Sequence, residues 1–110
     1  MQVEVTSREK LLELLAQLPA AAVIFTGPHC GICHAVTPRL EELLAKHFPR
    51  LTFLRVDIER IPDAAAHYQV HAIPSLLFFF EGRESQRFVR AFGIEEVRAA
   101  IERPYRLLFE

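Results

Sequence analysis

The chain is poor in the residues that staple, bend or anchor a polypeptide. In 110 residues it has two cysteines, one methionine, four glycines and no tryptophan. Two cysteines exclude a disulfide-dense scaffold and a four-thiolate zinc site within one chain, leaving for the latter only a metal cluster shared between two subunits. A lone methionine, Met1, leaves almost no scope for a Met-ligated haem. The glycines form no G-x-G-x-x-G loop, so direct use of a nicotinamide cofactor is not expected. No apolar run approaches the ~20 residues of a membrane span; the longest candidate is Ile73 to Phe80. Thirteen basic residues face fourteen acidic ones, for a net charge of -1. That balance shows no nucleic-acid footprint. Arginine outnumbers lysine eleven to two, a habit of composition that names no partner. The start, Met1 to Val5, lacks the basic stretch and apolar segment of a secretory signal. The expectation is a cytoplasmic protein without a membrane partner.

What is present is a core-forming chain, 51% apolar and 25% charged, of a length that suits one domain. Leucines 11, 12, 14, 15 and 18 lie along one side of a helix over 8–18, with Thr6 or Ser7 to cap it and Pro19 to close it. Val3 and Val5 suit a short edge strand, and Val23 to Thr26 a buried one. A helix over 30–47 is expected to bend near Pro38 and to bury Leu40, Leu43 and Leu44, with Phe48 just beyond. A strand over 51–56 ends at Asp57, and a short helix runs from Pro62 to Tyr68. Ser75 to Phe80 is a third long strand. Glu81-Gly82 turns the chain into a strand over 84–91 with Phe88 inward and Gly93 at its end. A last helix over 94–103 presents Ile94, Val97 and Ile101. The order β-α-β-α-β-α-β-β-α predicts an α/β domain, a mixed central sheet flanked by helices on both faces. Residues 1–104 form this domain, and 105–110 are a short tail beyond Pro104, either docked or available for a weak dimer of an otherwise monomeric chain.

Both cysteines lie in Cys30-Gly31-Ile32-Cys33, between the buried strand and the long helix. A thiol pair at a strand-to-helix junction suits reversible dithiol–disulfide exchange, because a helix N-terminus stabilises a thiolate. Cys30 is then the exposed nucleophile and Cys33, one turn into the helix, the shielded resolving thiol. His29 and His34 flank the pair. They modulate its charge with pH, or are ordinary surface residues. A metal carrier or sensor through Cys30 and Cys33 is an alternative, although no second cysteine pair supports it and His34 tends to point away from its neighbour Cys33. Cys30 to His34 also matches the C-x-x-C-H haem-attachment pattern, which a compact α/β context and the absence of a leader oppose. No cofactor and no metal are expected.

These features together resemble the thioredoxin family over essentially the whole chain. The resemblance rests on the apolar strand before Cys30-Gly31-Ile32-Cys33, on Pro38, and on Asp57 after the next strand. It extends to Tyr68-x-Val70-x-x-Ile73-Pro74-Ser75, Gly82 and Gly93. It implies a thioredoxin-like fold and a thiol–disulfide oxidoreductase acting on protein disulfides. It also implies a cis peptide bond before Pro74, with Ile73 and Pro74 as the substrate platform, and a separate reductase or thiol pool for recycling, glutathione included. The chain departs from the family's Trp-Cys-Gly-Pro-Cys pattern at His29 and Ile32. A buried acid common in the family is Ile24 here, and its lysine partner is Phe53. Losing both leaves neither charge unpaired, and it removes a proton acceptor for Cys33, a role left to water or His34. Those departures keep open a non-catalytic peptide-binding or chaperone-like module around Pro74.

Overall fold

Seven consecutive residues, Ala20 to Thr26, are buried, and this strand, β2, is the centre of a five-stranded sheet in the computed structural model. The structure describes residues 2–110, so Met1 lies outside it. In chain order the elements are β1 (Gln2–Glu4), α1 (Arg8–Gln17), β2 (Ala20–Thr26), α2 (Gly31–His47), β3 (Thr52–Asp57), α3 (Pro62–His67), β4 (Ser75–Phe80), β5 (Arg83–Val89) and α4 (Ile94–Phe109). The sheet order is β1-β3-β2-β4-β5. β2 pairs in parallel with β3 and antiparallel with β4, so the sheet is mixed as expected.

Alternation along the strands sends successive side chains to opposite faces, and the core divides accordingly. Ala22, Ile24, Leu76 and Phe78 meet Leu40, Leu43 and Leu44 of α2 and Val97 and Ile101 of α4. Ala21, Val23, Phe25, Leu77 and Phe79 meet Leu11 and Leu15 of α1 and Ala64 and Ala65 of α3. Helix ends follow their caps. Ser7 Oγ accepts from the Lys10 N–H at 3.0 Å, and Pro62 opens α3, where its missing N–H has no intrahelical partner to lose. Glu81 and Gly82 both have positive φ, the geometry of a two-residue hairpin turn. No helix among the described residues is long and apolar enough to cross a membrane.

Two expectations about the C-terminal part need correction. β5 stops at Val89 rather than running to Ala91, and Gly93 is the N-cap of α4, its N–H donating to Glu96 Oε1 at 3.2 Å. More substantially, α4 does not end before Pro104 but continues through it to Phe109. Proline in a helix removes one backbone hydrogen bond, and side-chain packing beyond it outweighs the loss. Tyr105 is buried, its ring meets Phe48 edge-on at 5.0 Å, and its hydroxyl accepts from the Arg50 N–H at 3.0 Å. The Arg50 guanidinium lies 4.4 Å from the Phe109 ring centre. Residues 105–109 therefore fasten α4 to the end of α2, and among their apolar side chains only Leu107, 72% exposed, stands clear. Replacing Tyr105 by Phe is expected to lower unfolding stability by about 1 kcal/mol in a urea titration, the net worth of the lost hydrogen bond; an unchanged midpoint would remove that bond from the account.

Candidate functional site: a disulfide at the start of α2

β2 delivers the chain to a short loop, Gly27-Pro28-His29, and Cys30 then serves as the N-cap of α2. The Cys33 N–H points at Cys30 Sγ over 3.1 Å, placing a helix-terminal donor on the sulfur. Cys30 and Cys33 are joined as a disulfide with their Cα atoms 5.2 Å apart. Cys30 is half-buried, whereas Cys33 is 1% exposed. Gly31 and Ile32 between them face solvent, and a Cβ added at Gly31 would meet nothing within 4 Å. The disulfide therefore presents one sulfur-bearing residue outward over an unobstructed approach.

The segment before β4 closes the other side of the site. The Ile73–Pro74 peptide bond is cis. Ile73 lies so close to Gly27 that a Cβ there would come within 3.0 Å of its Cδ1. Gly27 is thus the contact between the cysteine loop and the proline loop, which sequence reading saw only as a loop residue. Three more supports escaped it. Ser75 Oγ donates to the Ala72 carbonyl at 2.7 Å, and the Arg90 N–H donates to the Pro74 carbonyl at 2.7 Å. Arg87 reaches from β5 to the Tyr68 and Gln69 carbonyls at 2.8 and 3.2 Å while Glu84 holds its guanidinium. Burial pushes the Tyr68 hydroxyl above its ordinary value, and the Glu84 charge adds to the shift, so this ring stays neutral under the loop. The Arg87 and Arg90 supports are long-range contacts with no local signature, whereas the Ser75 bond spans only three residues.

The flanking histidines do different things. His34 turns back over the loop and donates from Nε2 to the Pro28 carbonyl at 3.0 Å, which either the Nε2-protonated ring or the imidazolium can do. His29 is exposed. Among the described residues no three His, Cys, Asp or Glu side chains are grouped to hold a metal ion. Asp57 is buried and caps the turn after β3, accepting from the Glu59 N–H at 2.9 Å.

Behind Cys33, Ile24 is fully buried in the same apolar cluster as Phe53. A cavity of about 170 Å³ at the start of α2 is lined by Gln2, Thr26, Cys33, His34, Thr37, Pro38 and Arg55. The Thr37 hydroxyl donates to the Cys33 carbonyl at 2.7 Å, Arg55 is held by Glu4 at 3.0 Å, and the Gln2 Oε1 is buried without a partner. Polar lining and an unsatisfied amide oxygen suit water beside Cys33.

A disulfide at a helix N-terminus, one cysteine outward and one inward, beside a cis-proline loop on a mixed sheet, defines a class of redox protein. The chain belongs to the thioredoxin family, whose model, described as Thioredoxin, matches residues 2–103. An H-type thioredoxin of Fagopyrum esculentum is 43% identical over 67 residues, which span 61% of this chain and 57% of that relative. A thioredoxin of Chlamydia trachomatis is 38% identical over 87 residues, 79% of this chain and 83% of the other. Among solved structures, Fasciola hepatica thioredoxin superposes with a TM-score of 0.82 at 30% identity, covering 94% of this chain and 98% of that one.

Proposed function

We propose that this chain is a thiol–disulfide oxidoreductase that reduces disulfides in protein substrates. The observation that carries the reading is the asymmetry of the pair, Cys30 half-buried at the helix cap and Cys33 enclosed one turn later. In the dithiol form the Cys30 thiolate attacks one sulfur of a substrate disulfide. A Cys30–substrate bond forms, and the other substrate sulfur leaves as a thiolate. The substrate chain lies along Ile73 and Pro74. Cys33 loses its proton to water in the cavity beside it and attacks Cys30 Sγ. The Cys30–Cys33 bond forms, the second substrate thiolate leaves, and protonation completes a two-electron reduction of substrate. A separate reductase or a thiol pool returns two electrons and two protons. Ile32 and Gly31 shape the approach, His34 holds the loop carbonyl in place, and His29 adds charge beside Cys30 when protonated. The working compartment in this reading is the cytoplasm, because both cysteines are committed to exchange and none is left as a staple.

Equilibration across a thiol–disulfide redox series, read by alkylation and intact mass, is expected to show both thiols lost together in one reversible two-electron step. A midpoint at about -270 mV, the value given for thioredoxin, fits a reductase. Cysteines that oxidise independently, or not reversibly, would overturn the proposal.

A further inference from the structure

A groove of about 320 Å³ runs alongside Ile32, which is 60% exposed, with Val36 and Phe92 in its apolar lining and Arg39 and Arg90 on its sides. Among the described residues that line the groove, Arg39 and Arg90 are the only charged ones. Neither forms an ion pair or a side-chain hydrogen bond among the described residues, a state shared by Arg83 and Arg103, whereas Arg8, Arg55, Arg60, Arg87, Arg98 and Arg106 all sit in ion pairs. Glu42 and Glu95 border the next depression along α2 together with Arg39, yet neither lies within ion-pair distance of it, and Glu95 is turned to Arg98 at 3.7 Å.

Arg90 is also held in an unfavourable backbone state. Its φ is 65°, the left-handed region that disfavours any residue with a Cβ and that glycine enters freely. The bond from its N–H to the Pro74 carbonyl fixes it there and ties the side chain's origin to the substrate loop. A strained residue with an unpaired charge, bonded to the proline loop and lining a groove beside the disulfide, points to a role at the site.

Resting on the oxidoreductase reading above, we infer that the groove selects substrate proteins whose target disulfide adjoins an apolar side chain flanked by carboxylates. The apolar residue packs against Ile32 and Phe92, and the acidic groups pair with Arg39 and Arg90. Two positive charges facing two negative ones speed encounter and tighten docking, mostly through KM.

The test uses two disulfide-linked peptides, identical in the apolar residue beside the cystine and carrying Glu or Lys at the flanking positions. The unmodified protein is expected to reduce both, with kcat/KM about tenfold higher for the Glu peptide at low ionic strength. The preference should shrink as salt shortens the screening length. In R39E/R90E it should reverse toward the Lys peptide. Arg90→Gly supplies a second readout, because the preference should fall while the thermal midpoint rises by roughly 4 °C as backbone strain is relieved. A wild-type ratio within twofold, a ratio insensitive to salt, or one unmoved by Arg90→Gly would overturn the inference. Failure to reduce either peptide would instead overturn the oxidoreductase reading on which it rests.

Discussion

A chain carrying Cys33→Ser is expected to react with a protein disulfide once and then stop, covalently joined to its substrate through Cys30. Attack by Cys30 needs only an accessible sulfur at a helix N-terminus, and both conditions survive the substitution. Release needs a second nucleophile close to Cys30 Sγ, and a serine hydroxyl is not ionised at neutral pH. Multiple turnover should fall by roughly 10³-fold or more, the scale on which removing one member of a covalent catalytic unit acts. Intact mass should show chain plus substrate, collapsing to chain alone with dithiothreitol. Serine is close to cysteine in size, so the enclosed position should still fold. The complementary Cys30→Ser chain should give no adduct, because Cys33 has almost no exposed surface. Adducts of equal yield from both variants would show that exposure does not assign the roles.

The second large effect is on folding. Phe78→Ala is expected to destabilise the protein by about 3–5 kcal/mol, a large part of the total stability of a domain this size. Phe78 is fully buried in the cluster beneath α2 and α4 and meets the Phe88 ring edge-on at 6.1 Å. Truncation removes the ring's burial and leaves a void that rigid strands cannot close. Phe80 on the same strand is only partly buried at the rim of that cluster, and its replacement by Ala should cost clearly less. Urea unfolding of the two variants side by side gives the comparison. Equal losses would mean that depth of burial on this face does not set the cost.

The phenylalanines show what the sequence makes legible. Phe78, Phe79 and Phe80 announce a buried strand without saying which way each ring points, and pairing in the sheet supplies that answer. The site itself was readable where its chemistry is local. Cys30 and Cys33 lie one helical turn apart, and a strand-to-helix junction was visible around them. The partners that hold the site were hidden, because Gly27 against Ile73 and Arg90 on Pro74 join residues far apart in sequence. The paired loss of charge at Ile24 and Phe53 was legible as a departure, and both side chains now fill one apolar cluster. The polar cavity at the start of α2 was not, since it draws on β1, β2, α2 and β3 together. Pro104 misled for the opposite reason. A local rule for ending helices gave way to Tyr105 and Phe109 packing on the end of α2.

β5 is an edge strand whose side chains mostly face solvent, yet Arg87 and the Arg90 that follows it grip the proline loop from both ends. Edge positions accept substitution easily, because little is packed against them. Change in this hairpin can therefore reshape how partners are received while the two sulfurs and the turn that carries them stay untouched. Resting on the inference above, client choice would draw on Arg39 of α2 and on Arg90 and Phe92 just past β5, while the chemistry stays in four residues at the head of a helix.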